Sequence, residues 1–241
     1  MGVDILAIGA HPDDVELSCA GTIAKSVKLG YGIGIIDLTG GELGTRGSKA
    51  IRAKEAASAA TILGCFRENL HLADGNIEVN QNNILKLMKL IRKHRPQVLL
   101  IPHSSERHPD HVRAHHLCRE AWFYSGLQKI ETKLNGKKQE PWRPRTFFHF
   151  MQWDVFIPSF IVDISDVYQT RMEAILVFKS QFHDPGSKEP ETILSQKSFL
   201  EMLETRAKHY GQQIGVRYGE PFYTPDPPGT DDIFKLKFFK G

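Results

Sequence analysis

Val3-Asp4-Ile5-Leu6-Ala7-Ile8-Gly9-Ala10-His11-Pro12-Asp13-Asp14-Val15-Glu16 is the stretch that decides the fold. Residues 3–9 are nearly all apolar, which predicts a strand buried on both faces. The polar turn after it leads into a helix reaching about Leu29. The same alternation continues outward. Residues 31–39 (YGIGIIDLT) predict a second strand, and 40–48 (GGELGTRGS) a glycine-rich loop. Lys49 to Leu63 is an alanine-rich helix with Gly64 placed as its C-cap. Residues 69–72 (NLHL) predict a short strand. Residues 80–94 form an amphipathic helix with Ile84, Leu87, Met88 and Ile91 on one face, and Pro96 stops it. Residues 97–102 (QVLLIP) predict a further buried strand and 111–124 a further helix. Strands alternating with helices give an α/β fold: one Rossmann-like domain over residues 1–241, with a mostly parallel sheet flanked by helices. Such sheets carry their chemistry at the carboxyl ends of the strands.

The second half is less regular. Residues 131–145 (ETKLNGKKQEPWRPR) read as a basic, turn-rich connection, and TFFHF (146–150) and SFIVDIS (159–165) as strands. Long helices are expected over 166–182 and 190–210, and the tail segment DIFKLKFF (232–239) reads as an edge strand.

Composition narrows the function. The chain has 241 residues, 41% of them hydrophobic, and a formal charge of +3. That is ample for a core and too balanced for a general nucleic-acid field. No apolar run nears the roughly 18 residues a membrane span needs. The opening residues lack a basic n-region and a long apolar h-region. The three cysteines (Cys19, Cys65, Cys118) are widely spaced, which suits a reducing compartment. The expectation is a cytoplasmic protein with neither a nucleic-acid nor a membrane partner.

The loop after the first strand argues against a nicotinamide enzyme. A dinucleotide site needs G-x-G-x-x-G there, whereas this loop offers an imidazole and two carboxylates, which would repel phosphate. His11 and Asp14 are spaced to converge on one cation. Asp13 must then point elsewhere and is free to take a proton. The alternative is that Asp13 and Asp14 merely cap the next helix. A second cluster follows residues 97–102. Six of the 11 histidines fall between His94 and His116, and the loop His103-Ser104-Ser105-Glu106-Arg107-His108-Pro109-Asp110-His111 opens on the same sheet edge. Pro109 suits a first helical turn, which puts His108 at the cap and His111 within that turn. One further ligand from this loop completes a His-Asp-His site with an open position, the pattern of catalytic zinc. A triad using His111 and His115 is the rival, ranked lower because His115 and His116 lie a turn further from the loop.

AHPDD-x-E (10–16), TGGELGTRG (39–47), Arg52-x-x-Glu55, Leu72-x-Asp74-Gly75 and RHPDH (107–111) resemble the zinc-dependent N-acetylglucosaminyl de-N-acetylases of the LmbE/PIG-L family. Within it the chain is most similar to the bacillithiol-biosynthesis branch, through RHPDH, Pro141-Trp142-Arg143, VDIS (162–165) and SQF (180–182). The resemblance implies one zinc per chain on His11, Asp14 and His111, donors that iron(II) or cobalt(II) would also accept. It implies Asp13 as general base, and His108 as the group that steadies the oxyanion and protonates the leaving amine. Asp110 would orient a neighbouring histidine. The substrate would be a small N-acetyl sugar conjugate, N-acetylglucosaminyl-malate in the bacillithiol branch, with a glycolipid or chitooligosaccharide as the alternative. A non-catalytic metal- or carbohydrate-binding protein is a further alternative, disfavoured because Asp13 is present. A homo-oligomer such as a hexamer is implied.

Arg46, Arg52, Arg107 and Arg143 are the candidate guanidiniums for the malate carboxylates, and Asp74 for sugar hydroxyls. Arg52 could instead pair with Glu55 or Glu42, and Asp74 could be a plain turn residue. Close relatives carry a tyrosine near the oxyanion where this chain has Phe199. Tyr210, Tyr218 or Tyr223 would substitute, or His108 and zinc suffice.

Overall fold

The computed structural model describes residues 2–236. Nine strands and six helices follow one another as β1 (Ile5–Gly9), α1 (Asp14–Lys28), β2 (Ile33–Thr39), α2 (Lys49–Leu63), β3 (Phe66–Leu72), α3 (Gln81–His94), β4 (Val98–Pro102), α4 (Pro109–Ser125), β5 (Lys133–Leu134), β6 (Lys137–Lys138), β7 (Thr146–Phe150), β8 (Phe160–Asp163), α5 (Tyr168–Leu176), α6 (Ser198–Gln213) and β9 (Gly219–Tyr223). A seven-stranded sheet runs β3-β2-β1-β4-β7-β9-β8, and β5 pairs with β6 alone. The neighbouring strands from β3 to β7 are parallel, and β9 is antiparallel to both β7 and β8. This is the expected single-domain α/β architecture.

Alternation along β1 builds two cores. Leu6 and Ile8 pack with Leu99, Ile101 and α3–α4 on one face. Ala7 packs with Ile35, Leu100 and α1 on the other. The order β2-β1-β4 makes β1 and β4 the strands at which the winding reverses, and ligands of such sheets bind in the crevice this opens at the carboxyl edge. The loops that leave β1 and β4 there are the two that carry the histidines and aspartates.

Local signals held at several helix ends. Gly64 adopts φ 69° as the α2 C-cap, and the Ser48 hydroxyl accepts the Ile51 N–H at its start. Pro109 opens α4 with His108 as N-cap. The later helices are shorter than expected. α5 ends at Leu176, and Phe178 and Phe182 then turn back into a core with α2 and α6. α6 begins at Ser198, because the Thr192 and Ser195 hydroxyls take local backbone bonds that compete with helix. The strand β9 was not expected, and Asn135-Gly136 forms a hairpin turn inside the 131–145 connection. Of the expected tail strand, Ile233–Lys235 is a short 3₁₀ turn, and residues 237–239 lie outside the described residues.

Helix α1 is not continuous. Cys19 has φ −147° and ψ 20°, and the Gly21 and Thr22 N–H groups donate to the Glu220 carboxylate (2.9 and 2.6 Å) instead of to the preceding helical turn. Glu220, on β9, is thus the cap of the second half of a broken helix. Gly21 is required here, since a Cβ would lie 2.8 Å from both Glu220 Oε1 and Ile164 Cδ1. Among the described residues, no helix is long and apolar enough to cross a membrane.

Candidate active site

Two loops meet over the β1/β4 crevice and form a cleft of about 480 Å³. From the first, His11 Nδ1 lies 3.5 Å from Asp14 Oδ2, and Asp14 Oδ1 lies 3.2 Å from His111 Nε2 on the second. The rings of His11, His108 and His111 cluster with centroids 4.8–5.4 Å apart. Two donor sets converge closely enough to hold one cation: His11 with Asp14 and His111, and His11 with His108 and Asp110. Each set carries backbone bonds, since Asp14 Oδ2 accepts the His11 N–H at 2.9 Å. His108 Nδ1 accepts the Asp110 N–H at 3.2 Å, and Asp110 Oδ2 accepts the Gly75 N–H at 2.7 Å. In the first set the buried His111 Nδ1 has no hydrogen-bond partner. A buried nitrogen left unpaired is what a ligand waiting on a cation and an outer partner looks like, so the first set fits a metal better.

Asp13 is held apart from its neighbour by backbone strain. It adopts φ 107° as the N-cap of α1, yet its side chain makes no capping bond. Its carboxylate instead pairs with Arg52 Nη2 at 3.1 Å, and both side chains are about 94% buried. Arg52 also donates to the Gly41 carbonyl at 3.3 Å and to the Pro12 carbonyl. Capping therefore does not account for Asp13, and Arg52 pairs with neither Glu55 nor Glu42. Glu55 instead accepts from Ser180 N and Oγ (2.8 and 2.7 Å). A non-glycine residue held at positive φ costs of order 1–3 kcal/mol and marks a place where the direction of a side chain matters.

The electrostatics divide the adjacent carboxyls. Burial pushes Asp13 up to about 7, despite the opposing charge of Arg52. Burial would raise Asp14 too, but the charge of His111 and the hydrogen bonds from His11 and His111 hold it well below the usual range. Burial opposes protonation of His11, yet Asp110, Asp14 and Asp74 raise it well above the ordinary value, and Asp14 raises His111 to about 9. Burial and the His11 and His111 charges lower His108. The cluster is thus a nest of carboxylates that draws positive charge onto His11 and His111, where a cation would sit.

The remaining expected residues divide. Asp74 lines the cleft, but its oxygens go to His11 Nε2 (3.0 Å) and the Leu43 N–H (2.8 Å). Asp110 approaches His11 Nε2 at 3.5 Å, so the histidine its carboxylate faces is His11. Arg107 lines the cleft and stacks on Trp153 at 4.7 Å. Arg46 and Arg143 are not brought to it. Arg46 donates to the Ser180, Phe182 and Pro190 carbonyls and ties down the 180–190 loop. Arg143 lies just before β7, at the amino edge of the sheet, against the Phe123 ring and carbonyl. The rival triad does not form. His115 is buried with His149, and the Nδ1 groups of both donate to the Pro102 carbonyl (3.2 and 2.9 Å). Phe199 does line the cleft. Tyr210 bonds to Met151 sulfur, Tyr218 to Glu204, and Tyr223 stacks on His149, so none of the three supplies its missing hydroxyl.

Sequence reasoning missed Glu106. Its side chain is fully buried, Oε1 accepts the Trp153 and Asp154 N–H groups (2.8 and 3.2 Å), and Oε2 is unpartnered 3.9 Å from His111 Nδ1. Its position three residues before Pro109, between two histidines, was the only signal. Ser18, Gln152 and Arg206 also line the cleft and were not anticipated.

Comparison with known proteins places the chain in a family. Residues 6–122 match the family model described as PIG-L, GlcNAc-PI de-N-acetylase. A conserved Thermus thermophilus protein, TT1542, has a crystal structure that superposes with a TM-score of 0.85 at 35% identity, covering 95% of this chain and 97% of that one. The diacetylchitobiose deacetylase of Thermococcus kodakarensis is 29% identical over 90% of this chain and 80% of its own length. YaiS of Escherichia coli, described as an uncharacterized deacetylase, is 34% identical over 56% of this chain and 78% of its own. With both histidine- and aspartate-bearing loops inside the matched region, the chain belongs to the PIG-L/LmbE family of deacetylases.

Proposed function

We propose that this protein is a metal-dependent hydrolase that removes the acetyl group from an N-acetylated amino-sugar conjugate. The observation that carries the proposal is the split of the Asp13-Asp14 pair. One carboxylate joins His11 and His111 around a cation-sized gap, while the strained backbone turns the other onto Arg52 at the cleft wall.

A divalent cation on His11, Asp14 and His111, zinc by its donor set, would polarise the amide carbonyl and acidify water. Asp13 is the general base: its oxygen lines the cleft, and Arg52 fixes its orientation while it takes the proton of the attacking water. His108 faces the same space. Because its Nδ1 accepts the Asp110 N–H, the neutral ring carries its proton on Nε2, a donor suited to the oxyanion. His108 was also expected to protonate the leaving amine; with its ring favoured neutral, the proton held by Asp13 is the one that goes to the departing nitrogen, so the products are acetate and a free amine. Asp74 and Asp110 hold His11 from behind.

Two substrates fit the class. The relative from Thermococcus supports an N-acetylated chitooligosaccharide. N-Acetylglucosaminyl-malate is supported by Arg107, whose guanidinium has no carboxylate partner among the described residues. The test is amine release from a panel of N-acetyl sugars with and without a chelator. Chelator-sensitive release from at least one conjugate is expected. Release that survives complete metal removal would contradict the proposal.

A further inference from the structure

The broken helix α1 has a consequence for the cleft. In an unbroken helix the Gly21 and Thr22 N–H groups would bond to the Leu17 and Ser18 carbonyls. Here both go to Glu220, so the Leu17 carbonyl is free. Two guanidiniums take it: Arg206 Nη2 at 3.1 Å and Arg171 Nη2 at 3.4 Å. They differ in one respect. Arg171 is neutralised by Glu220 at 3.1 Å, whereas Arg206 has no carboxylate partner among the described residues. Arg206 reaches from α6 into the cleft and, among the described residues, bonds otherwise only to the Gln152 carbonyl. Two carbonyls use only part of a guanidinium's five donors.

Two further polar atoms at this wall are unsatisfied. Ser18 is 3% exposed, lines the cleft, and its Oγ has no hydrogen-bond partner, not even the carbonyl one turn back that a helical serine commonly takes. Gln152 Oε1 is buried and unpartnered at the same wall. The next residue, Trp153, is stacked by Arg107. Guanidiniums with no carboxylate partner among the described residues therefore flank the Gln152–Trp153 wall, to which Glu106 is bonded through the Trp153 and Asp154 N–H groups, while the carboxylates Asp13, Asp14 and Asp74 gather around Arg52 and the histidines. Ser18 lies four residues after Asp14 on α1, so the two ends are about 6 Å apart along the helix. Burial and the Arg171 charge lower Arg206 to about 10, against the opposing charges of Glu220 and Glu106.

We infer that this wall is a second subsite, in which the Arg206 guanidinium and the Ser18 hydroxyl bind an anionic oxyacid group, carboxylate or phosphate, on the molecule whose amide is cleaved at the histidine end. The inference rests on the amide-hydrolase reading for that last clause only. Guanidinium forks suit planar oxyanions, the hydroxyl adds a donor, and an anion supplies the charge the fold leaves out. The spacing of about 6 Å fits an anion borne by a substituent next to the amino sugar, and not a remote chain.

The test compares N-acetylglucosaminyl-malate, N-acetylglucosamine 1-phosphate and neutral methyl N-acetylglucosaminide in the metal-loaded wild type and in R206M, R206K and S18A. Loss of a charge-assisted contact corresponds to roughly a 10- to 100-fold rise in KM. R206M should show this for at least one anionic substrate, and by at least ten times more than for the neutral one, with kcat moving less than KM. R206K should recover part of the loss. S18A, which removes no bond made within the fold, should raise the same KM by roughly 3- to 10-fold. Preference for the malate or for the phosphate conjugate identifies the oxyacid. Equal losses on anionic and neutral substrates, or none, overturn the subsite. If the wild type cleaves none of the three, calorimetric titration with malate and with inorganic phosphate separates the two readings. Binding that R206M abolishes keeps the subsite and rejects hydrolysis of these three conjugates, and binding indifferent to R206M, or no binding, rejects the subsite.

Discussion

Replacing Glu106 with glutamine should weaken metal binding without unfolding the protein. Glu106 Oε2 stands 3.9 Å from His111 Nδ1, and both atoms are buried and unpartnered. That is beyond a hydrogen bond, but a ring adjustment of under about 1 Å closes it. A full charge–charge interaction at this distance is worth about 4 kcal/mol at an effective dielectric of about 20, which sets an upper bound. A histidine bound to a metal is neutral and offers only its N–H, and loss of such an outer partner typically costs about 10- to 100-fold in metal affinity, or about 1.4–2.7 kcal/mol. Glutamine keeps an oxygen for the Trp153 and Asp154 N–H groups, so the wall they belong to should stay in place. Its NH₂ would then face His111 Nδ1 and favour the wrong tautomer. The assay is zinc competition against a chromophoric chelator, with circular dichroism and thermal melts as folding controls. Zinc affinity within threefold of the unaltered protein, in a folded E106Q, would refute the role given to Glu106.

Burial lowers His115 and His149 to about 4, so each folded ring stays neutral where the unfolded one is protonated. The unfolded chain binds these protons below about pH 6.5 and the folded protein only below about 4. Their contribution is therefore complete above 6.5 and lost as pH falls through that window, at no more than about 2.7 kcal/mol per pH unit for the two together. Urea midpoints between pH 7.5 and 4 should show this, and H149F should flatten the slope; an unchanged slope in H149F would dismiss His149 as a source. Gly21→Ala places a Cβ 2.8 Å from Ile164 and Glu220, and should cost about 1–3 kcal/mol, lowering Tm by several degrees; an unaltered Tm would mean that the α1 break tolerates a side chain. Arg46→Ala removes a cation from three carbonyls of the 180–190 loop and should cost roughly 2–4 kcal/mol, with faster proteolytic cutting in that loop; protease resistance equal to the unaltered protein would contradict the clamp.

Most of the first half of the fold was legible because β1, β2 and β4 are runs of mainly apolar residues and the helix ends carry glycine, proline or a capping residue, as at Gly64 and Pro109; β3 begins at Phe66, three residues before the expected 69–72, because Arg67, Glu68 and Asn69 interrupt its apolar pattern. The loops that carry the clustered histidines and aspartates were legible for the same reason. A strand's end fixes where the next residues emerge, so His11 and the HPDH segment had to share an edge. The second half hid its structure in long-range choices. Thr192 and Ser195 spend on each other the bonds a helix would need, and Gly219-Glu220-Pro221 looks like a loop until β7 and β8 flank it. The arginines show the limit most plainly. Arg46, Arg143 and Arg206 are chemically the same side chain, and only the fold decides that the first clamps a loop, the second covers Phe123, and the third opens into the cleft. Glu106 was equally opaque, since nothing local says that a carboxylate will be buried behind a histidine.

The central claim is that two adjacent carboxylates have separate tasks, Asp14 on the metal and Asp13 on the proton. Asp13→Asn, assayed together for zinc content and for amine release from the best conjugate of the panel, tests it most directly. The variant should hold as much zinc as the unaltered protein while hydrolysis falls by about 10²- to 10⁴-fold. A folded D13N that has lost its zinc, or one that keeps both zinc and full activity, would contradict it.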